Sequence, residues 1–439
     1  MADSTYYALY IILFFFFTIL LRYLFHPRSY ARRRPPSPPA LPLIGHLHHF
    51  SPYVHKSFHN LAAKYGDLLF LRLGRVRCVV ISSATYAAEI YKNQDVNFSS
   101  RPKLAFGDEI PYAKAGFFVA EYGDYWRFMK KLTMTELLSQ RQVERSRGVR
   151  REEMLKLLRK LCECGEKKEV VDLGTEIVKL TNNSTCRLVM STRCSGNGDD
   201  EAEKIRLLIK ETFEIASKIS FGDDLFLGGT ATSTEVSQWA MAELLNHPKV
   251  FNKLRNEINS VVGTTRLVDE DDLPNLPYLQ AVVKEALRLY PAVPISMRAC
   301  RQDCTIDNYD IPKDTLVAVN LFTIMRDPKI WENPNKFNPE RFTGDVEYEI
   351  KGQQNFNFVP FGGGRRACPG STLAFSFIRN LIATMVQCFD WKIIGKSDNN
   401  GDGISKVDME IGAAFTLPMA NPLRCVPIVH FNPFNDTLN

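Results

Sequence analysis

The sequence predicts a mainly α-helical fold with a small β portion, arranged as one domain behind an N-terminal transmembrane helix. Three observations lead there. Apolar residues recur at helical spacing in segment after segment, the β-rich runs are few and short, and the first twenty-five residues are almost free of charge. With 45% hydrophobic and 24% charged residues, the 439-residue chain has an ordinary globular composition. It carries no internal repeat, and length alone does not divide it into domains. A net charge of +6 is too mild for a nucleic-acid binder and suits an acidic partner or an anionic membrane face. The ten cysteines form no CxxC pair and no Cys/His cluster, which argues against a zinc site and for reduced thiols facing the cytosol.

Tyr6 to Phe25 is a twenty-residue apolar run with Arg22 as its one charge. As a helix it reaches about 30 Å, the thickness of a bilayer's hydrocarbon core. A cleaved signal peptide fits less well, since no basic residue precedes the run and no small-residue cleavage site follows it. Arg22, Arg28, Arg32, Arg33 and Arg34 belong on the cytosolic side, which places the N-terminus in the lumen of the endoplasmic reticulum and the rest outside it. Residues 1–25 are thus read as the anchor, 26–50 as a basic hinge stiffened by "PPSPPALPLIG", and 51–439 as the folded domain.

Within that domain, "LLFLRLGRVRCVVIS" predicts a β-hairpin turning near Gly74. Glu201–Ser220 predicts an amphipathic helix with Ile205, Leu208, Ile209, Phe213 and Ile215 on one face. A further helix begins near Leu225 and is stopped by Pro248. The next aligns Phe251, Leu254, Ile258 and Val261, and "LQAVVKEALRLY" ends at Pro291. Cys300 and Cys304 read as packing residues, and Cys162 and Cys164 as members of a charged loop.

The chemistry gathers at "FGGGRRACPG", Phe361 to Gly370. Glycines allow tight turns and close backbone approach. After Pro369, "STLAFSFIRNLIATMVQCF" predicts a long apolar helix, which puts Cys368 just before a helix N-terminus whose dipole and free N–H groups favour a thiolate. A lone thiolate beside arginines suits an iron already held by four other donors. Taken alone, the loop is equally a buried cysteine in a glycine-rich turn.

Three further motifs stand at compatible positions. The loop resembles the haem-binding signature of the cytochrome P-450 family, FxxGxRxCxG, at Phe361, Gly364, Arg366, Cys368 and Gly370. "EALR" supplies Glu285 and Arg288 one helical turn apart, and "FNPERF" supplies Arg341. The resemblance implies that these three form a structural cluster behind the loop. It implies haem b ligated by Cys368, with Trp126 and Lys130 of "WRFMKK" and Arg298 of "PISMR" at the propionates. It also gives Thr232 as the alcohol on the oxygen side. The likeness covers nearly the whole chain and is nearest to plant microsomal members that oxidise flavonoids and triterpenoids. It implies a monooxygenase taking O2, a small apolar substrate and electrons from NADPH through a membrane-bound NADPH–cytochrome P-450 reductase. The axial thiolate would favour O–O cleavage, and Lys130, Lys131 and Arg141 would meet the reductase's acidic face. Residues 104–118, Val293 to Ser296 and Ala414 to Leu417 fall where relatives line the substrate pocket.

Two departures mark this chain. The oxygen-side helix reads "GGTATS", with Ala231 where the family places an acid that relays protons. The stretch between Trp126 and Gly229 is many tens of residues shorter than in relatives, with a break near 221–224. Phe221 to Asp224 reach at most about 14 Å, so the second lid helix, its successor and the start of the long central helix are missing from the expected plan. Three readings stay open: an efficient monooxygenase, an impaired or inactive truncated isoform, and a reductase-independent haem enzyme that rearranges hydroperoxides.

Overall fold

Alternating apolar residues on both sides of Gly74 build the hairpin the sequence predicts. In the computed structural model, which describes residues 2–24, 33–102, 120–191, 193, 224–344, 356–394 and 406–434, β1 (Leu68–Leu73) pairs antiparallel with β2 (Val76–Ile81), and Gly74 turns between them at φ +60°. Period-2 alternation gives the strands two apolar faces. Leu69, Leu71, Cys78 and Val80 pack under Phe58 and Leu61 of α2 (Val54–Tyr65), while Leu68, Val79 and Ile81 enter the main core. β7 (Leu316–Asn320) joins β2 in parallel and β4 (Ile295–Ala299) joins β7 antiparallel, giving the order β1-β2-β7-β4. A second sheet has the order β3 (Val171–Asp172), β9 (Arg424–Val429), β8 (Phe389–Ile393). β5 (Cys304–Ile306) and β6 (Tyr309–Ile311) form a small hairpin.

Helices dominate, as expected. After α1 (Ala2–Leu24) and α2 come α3 (Ala84–Ala88), which runs into a single wide turn at Glu89–Asn93, then α4 (Asp124–Leu132), α5 (Gln140–Arg145), α6 (Arg147–Lys167) and α7 (Leu173–Met190). The second half holds α8 (Asp224–Asn246), α9 (Pro248–Val262), α10 (Pro277–Leu289), the short α11 (Leu321–Ile324) and α12 (Ser371–Cys388). Pro248 ends one helix and occupies the first turn of the next, where its missing N–H costs nothing. α8 packs against α7, α10 and α12. α10 is buried on nearly every face, from Tyr278 to Leu289, so it forms the axis of the core.

Several expectations need correction. α1 is one helix of 23 residues, but among the described residues no helix is long and apolar enough to cross a membrane. The proline hinge is extended but not a free spacer from residue 33 onward. Pro35 and Pro38 are buried, Phe70 N–H donates to the Pro36 carbonyl at 2.8 Å, and His46 N–H to the Arg72 carbonyl at 2.7 Å. On α9 the apolar face takes in Val262 and leaves Val261 exposed. Cys162 and Cys164 are buried on α6 rather than set in a loop. Cys186 is disulfide-bonded, unlike the free thiols at Cys78, Cys162, Cys164, Cys300, Cys304, Cys368, Cys388 and Cys425. The expected helix 201–220 and the 104–118 segment lie outside the described residues.

Candidate functional site

The "FGGGRRACPG" loop is held by its own backbone. Cys368 N–H donates to the Phe361 carbonyl at 3.0 Å, and Gly362 and Ala367 close two tighter turns at 3.0 Å each. Two glycines are obligatory for a reason the sequence does not reveal. A Cβ at Gly363 would stand 2.7 Å from the Tyr91 ring, and one at Gly364, where φ is +66°, would stand 2.3 Å from Asp95 Oδ1. The close approach is thus to the wide turn after α3. Asp95 fixes that contact by accepting from the Arg365 backbone at 2.9 Å and from its guanidinium at 2.5 Å.

Cys368 stands three residues before the start of α12. Its surroundings are those of a buried group, and desolvation pushes the thiol above its ordinary value, against the opposing pull of the Gly370 N–H. The side chain itself is exposed. Deep yet uncovered, the sulfur looks into a hollow rather than into packed atoms. Gly370 leaves that space open, since a Cβ there would meet nothing nearer than Cys368 Sγ at 4.0 Å. Burial thus opposes the stabilisation that the helix terminus and the Gly370 N–H offer a thiolate.

Around this hollow the fold collects cations. Arg298 on β4 is buried, and its Nη2 lies 3.5 Å from the Gly363 carbonyl. Arg366 donates to the carbonyls of Ser99 at 2.7 Å and Ala120 at 2.5 Å and lies 4.4 Å over the Trp126 ring. Lys130, 5.1 Å from the same ring, donates to the Arg365 carbonyl. Arg101, which sequence reasoning missed, joins them through a 2.7 Å bond to the Met297 carbonyl. Burial first, and then mutual repulsion, lowers the guanidinium of Arg101 and Arg366, and burial does the same to Arg298. The Lys130 ammonium is depressed by burial too. Arginine does not surrender its proton in a protein, so an anion placed among these groups relieves the cost. A hollow with a thiol on its floor and arginines at its edge fits a haem: iron for the sulfur, carboxylates for the cations.

Behind the loop, the expected cluster is assembled. Arg288 grips Glu285 through two bonds of 2.7 and 2.8 Å, and both side chains are wholly buried. Arg341 reaches the same carboxylate at 3.4 Å, and Asn338 N–H donates to it at 2.9 Å. Arg288 then spans to the carbonyls of Met325 at 2.8 Å and Pro334 at 2.7 Å. The bidentate geometry that only an arginine supplies fixes α10 to the segment leading into the loop.

On the other side, α8 carries Ala231 and Thr232, both half-buried. The expected pocket segment Ala414 to Leu417 meets α8 here and touches Ala292, the residue before the expected segment Val293 to Ser296. Leu417 N–H donates to the Ala292 carbonyl at 3.2 Å, and the Leu417 carbonyl accepts from Trp239 Nε1 of α8 at 2.6 Å. Thr416 donates to Glu235 Oε1 at 2.8 Å, while Oε2 has no hydrogen-bond partner among the described residues. Glu235 is buried, and desolvation pushes its carboxyl up to about 8 despite the Thr416 bond. From the sequence Glu235, four residues after Ala231, is no obvious substitute for the missing acid; its burial on the helix is not readable from the letter E.

The family model described as Cytochrome P450 matches residues 35–223 and 220–403. Cytochrome P450 705A12 of Arabidopsis thaliana is 40% identical over 495 residues, covering 97% of each chain. The 3,9-dihydroxypterocarpan 6A-monooxygenase of Glycine max is 35% identical, covering 95% of this chain and 97% of its own. Cytochrome P450 93B2 of Gerbera hybrida is 36% identical, over 96% and 97%. A solved zebra fish cytochrome P450, in a structure with abiraterone, superposes with a TM-score of 0.73 at 22% identity. It covers 87% of this chain and the whole of that one, and it shows the fold. The 495-residue alignment is longer than this 439-residue chain, and the two matched segments of the family model meet at the predicted break.

Proposed function

This chain belongs to the cytochrome P450 family of haem-thiolate monooxygenases, and we propose that it oxidises a small apolar plant metabolite of the flavonoid or terpenoid class. Family membership brings haem iron with a thiolate ligand, O2, a small-molecule substrate and a redox partner. The haem supplies activation of O2 by reduced iron, with the sulfur's electron density favouring O–O cleavage. Every other task falls to this chain. Cys368 holds the iron, Phe361 and Gly370 shape the space beside it, and Trp126, Lys130, Arg298 and Arg366 hold the propionates. Thr232 orients the proton route to the oxygen side, and the Glu285–Arg288–Arg341 cluster keeps the loop rigid. The observation that carries this assignment is an exposed Cys368 in a loop whose own Arg366 is buried and whose Gly363 carbonyl lies 3.5 Å from the buried Arg298. The pterocarpan-oxidising relative supports the substrate class.

NADPH is the electron source in this reading, through a separate reductase docking on the Lys131 and Arg141 side. Attachment to the endoplasmic-reticulum membrane with the catalytic part in the cytosol belongs to this reading on the sequence alone, from the apolar run Tyr6–Phe25 and the arginines after it. In this reading the sequence is short of a stretch of lid near 221–224, so that either the helices rearrange or the pocket stands open to water, which favours side reactions. The Ala231 departure favours the impaired reading over an efficient one.

The test is the carbon-monoxide difference spectrum of the reduced, purified chain. A red-shifted Soret band of thiolate-ligated haem is expected, with its loss in Cys368→Ser. A Cys368→Ser chain that keeps both pigment and band would overturn the assignment. Product formed only with NADPH and reductase separates the monooxygenase from a hydroperoxide-rearranging enzyme.

A further inference from the structure

Cys300 directly follows β4 and Cys304 opens β5, and the turn between them brings the two sulfurs within 3.7 Å of each other. Cys300 is buried and faces the Asn97 amide at 3.7 Å, while Cys304 is half-buried. Asn97 holds the turn: its carbonyl accepts from Arg301 N–H and its side chain from Gln302 N–H, each at 3.0 Å. Cys304 also lines a cleft of about 450 Å³ with Lys92, Asp95, Arg301, Gln302 and Arg365 among its walls. Asp95 is engaged by Arg365, which leaves Lys92 and Arg301 to give the cleft its positive character. Hydrogen bonds from Cys300 and Asn97 favour the Cys304 thiolate, whereas donation to Cys304 and burial keep Cys300 a thiol. The pair is therefore divided into an accessible nucleophile and a shielded partner.

We propose that Cys300 and Cys304 are a thiol pair that closes reversibly into a disulfide when an anionic disulfide of the glutathione class enters the cleft. The Cys304 thiolate attacks one sulfur of the incoming disulfide, forming a mixed disulfide and releasing a thiolate. Cys300 gives its proton to the first thiolate released and attacks the Cys304 sulfur, forming the internal bond and releasing the second thiolate. Two protein thiols are oxidised and one external disulfide is reduced. The Cys368 site is not involved.

The full-length reduced protein is incubated with glutathione disulfide, quenched with acid, alkylated, and cleaved with trypsin without reduction. Cleavage after Arg298, Arg301 and Lys313 separates Ala299–Arg301 from Gln302–Lys313. The expected result is that the two peptides emerge joined, lighter by two hydrogens than their sum, with alkylation of both cysteines falling about tenfold. In Cys300→Ser, whose Cys304 has no resolving partner, a lasting glutathione adduct on Cys304 is expected instead. The proposal is overturned if both peptides emerge alkylated and unlinked, or if the adduct is as abundant in the native chain as in Cys300→Ser.

Discussion

Behind the Cys368 loop, Glu285 and Arg288 are wholly buried and doubly bonded, and Gly363 and Gly364 leave no room for a side chain. In front of it, α8 carries Ala231 where an acid is expected, and the buried carboxyl of Glu235 bonds Thr416 through a single oxygen. Both regions belong to one candidate site, yet one is over-determined and the other is held by single contacts. Holding a haem depends on the first. Using it well depends on the second. The comparison teaches that the thiolate side is packed independently of what α8 carries on the oxygen side.

Removing the Glu285 carboxylate should have the largest effect. In Glu285→Ala, Arg288 is left buried and without its charge partner, a loss of about 3–5 kcal/mol. Folded, haem-loaded protein should be nearly absent on purification, and a normal yield would break the claim that this side is over-determined. Ala231→Asp should act in the opposite sense and on activity alone. Restoring a proton donor should raise product per NADPH on the order of tenfold and lower peroxide release, with haem content unchanged. Coupling equal to that of the native chain would place the deficit in the missing lid instead.

Glu235 gives a smaller effect, read through pH. Its carboxyl ordinarily titrates at 4.5 and is pushed up to about 8 by burial. The folded chain therefore keeps a proton that the unfolded chain has released, so stability falls as pH rises from 4.5 toward 8 and levels off above it. Urea midpoints across that window should show the decline in the native chain and a flatter profile in Glu235→Gln. Lys131→Glu should be the mildest. It should slow electron delivery a few-fold at low salt, less at high salt, and leave the optical spectrum untouched.

Much of the thiolate side was legible in the sequence because its signals are local. The ExxR spacing puts Glu285 and Arg288 on one helical face, the aliphatic alternation around Gly74 makes a hairpin, and Pro248 separates two helices. These follow from period and backbone geometry, which a short window contains. The hinge was misjudged for the complementary reason: prolines dictate an extended chain, but not whether it docks on β1.

What the sequence by itself determined is the hairpin at Gly74, the helices on either side of Pro248 and the one ending before Pro291, and the cysteine loop whose family resemblance names its chemistry. Only the tertiary structure decided that Arg101 joins Arg298 and Arg366, that Gly364 is required by Asp95, that Thr416 reaches Glu235, and that Cys300 faces Cys304. The physical reason is range. Helix and strand periods act over a few residues, whereas burial and the meeting of charges depend on positions that packing brings together from far along the chain.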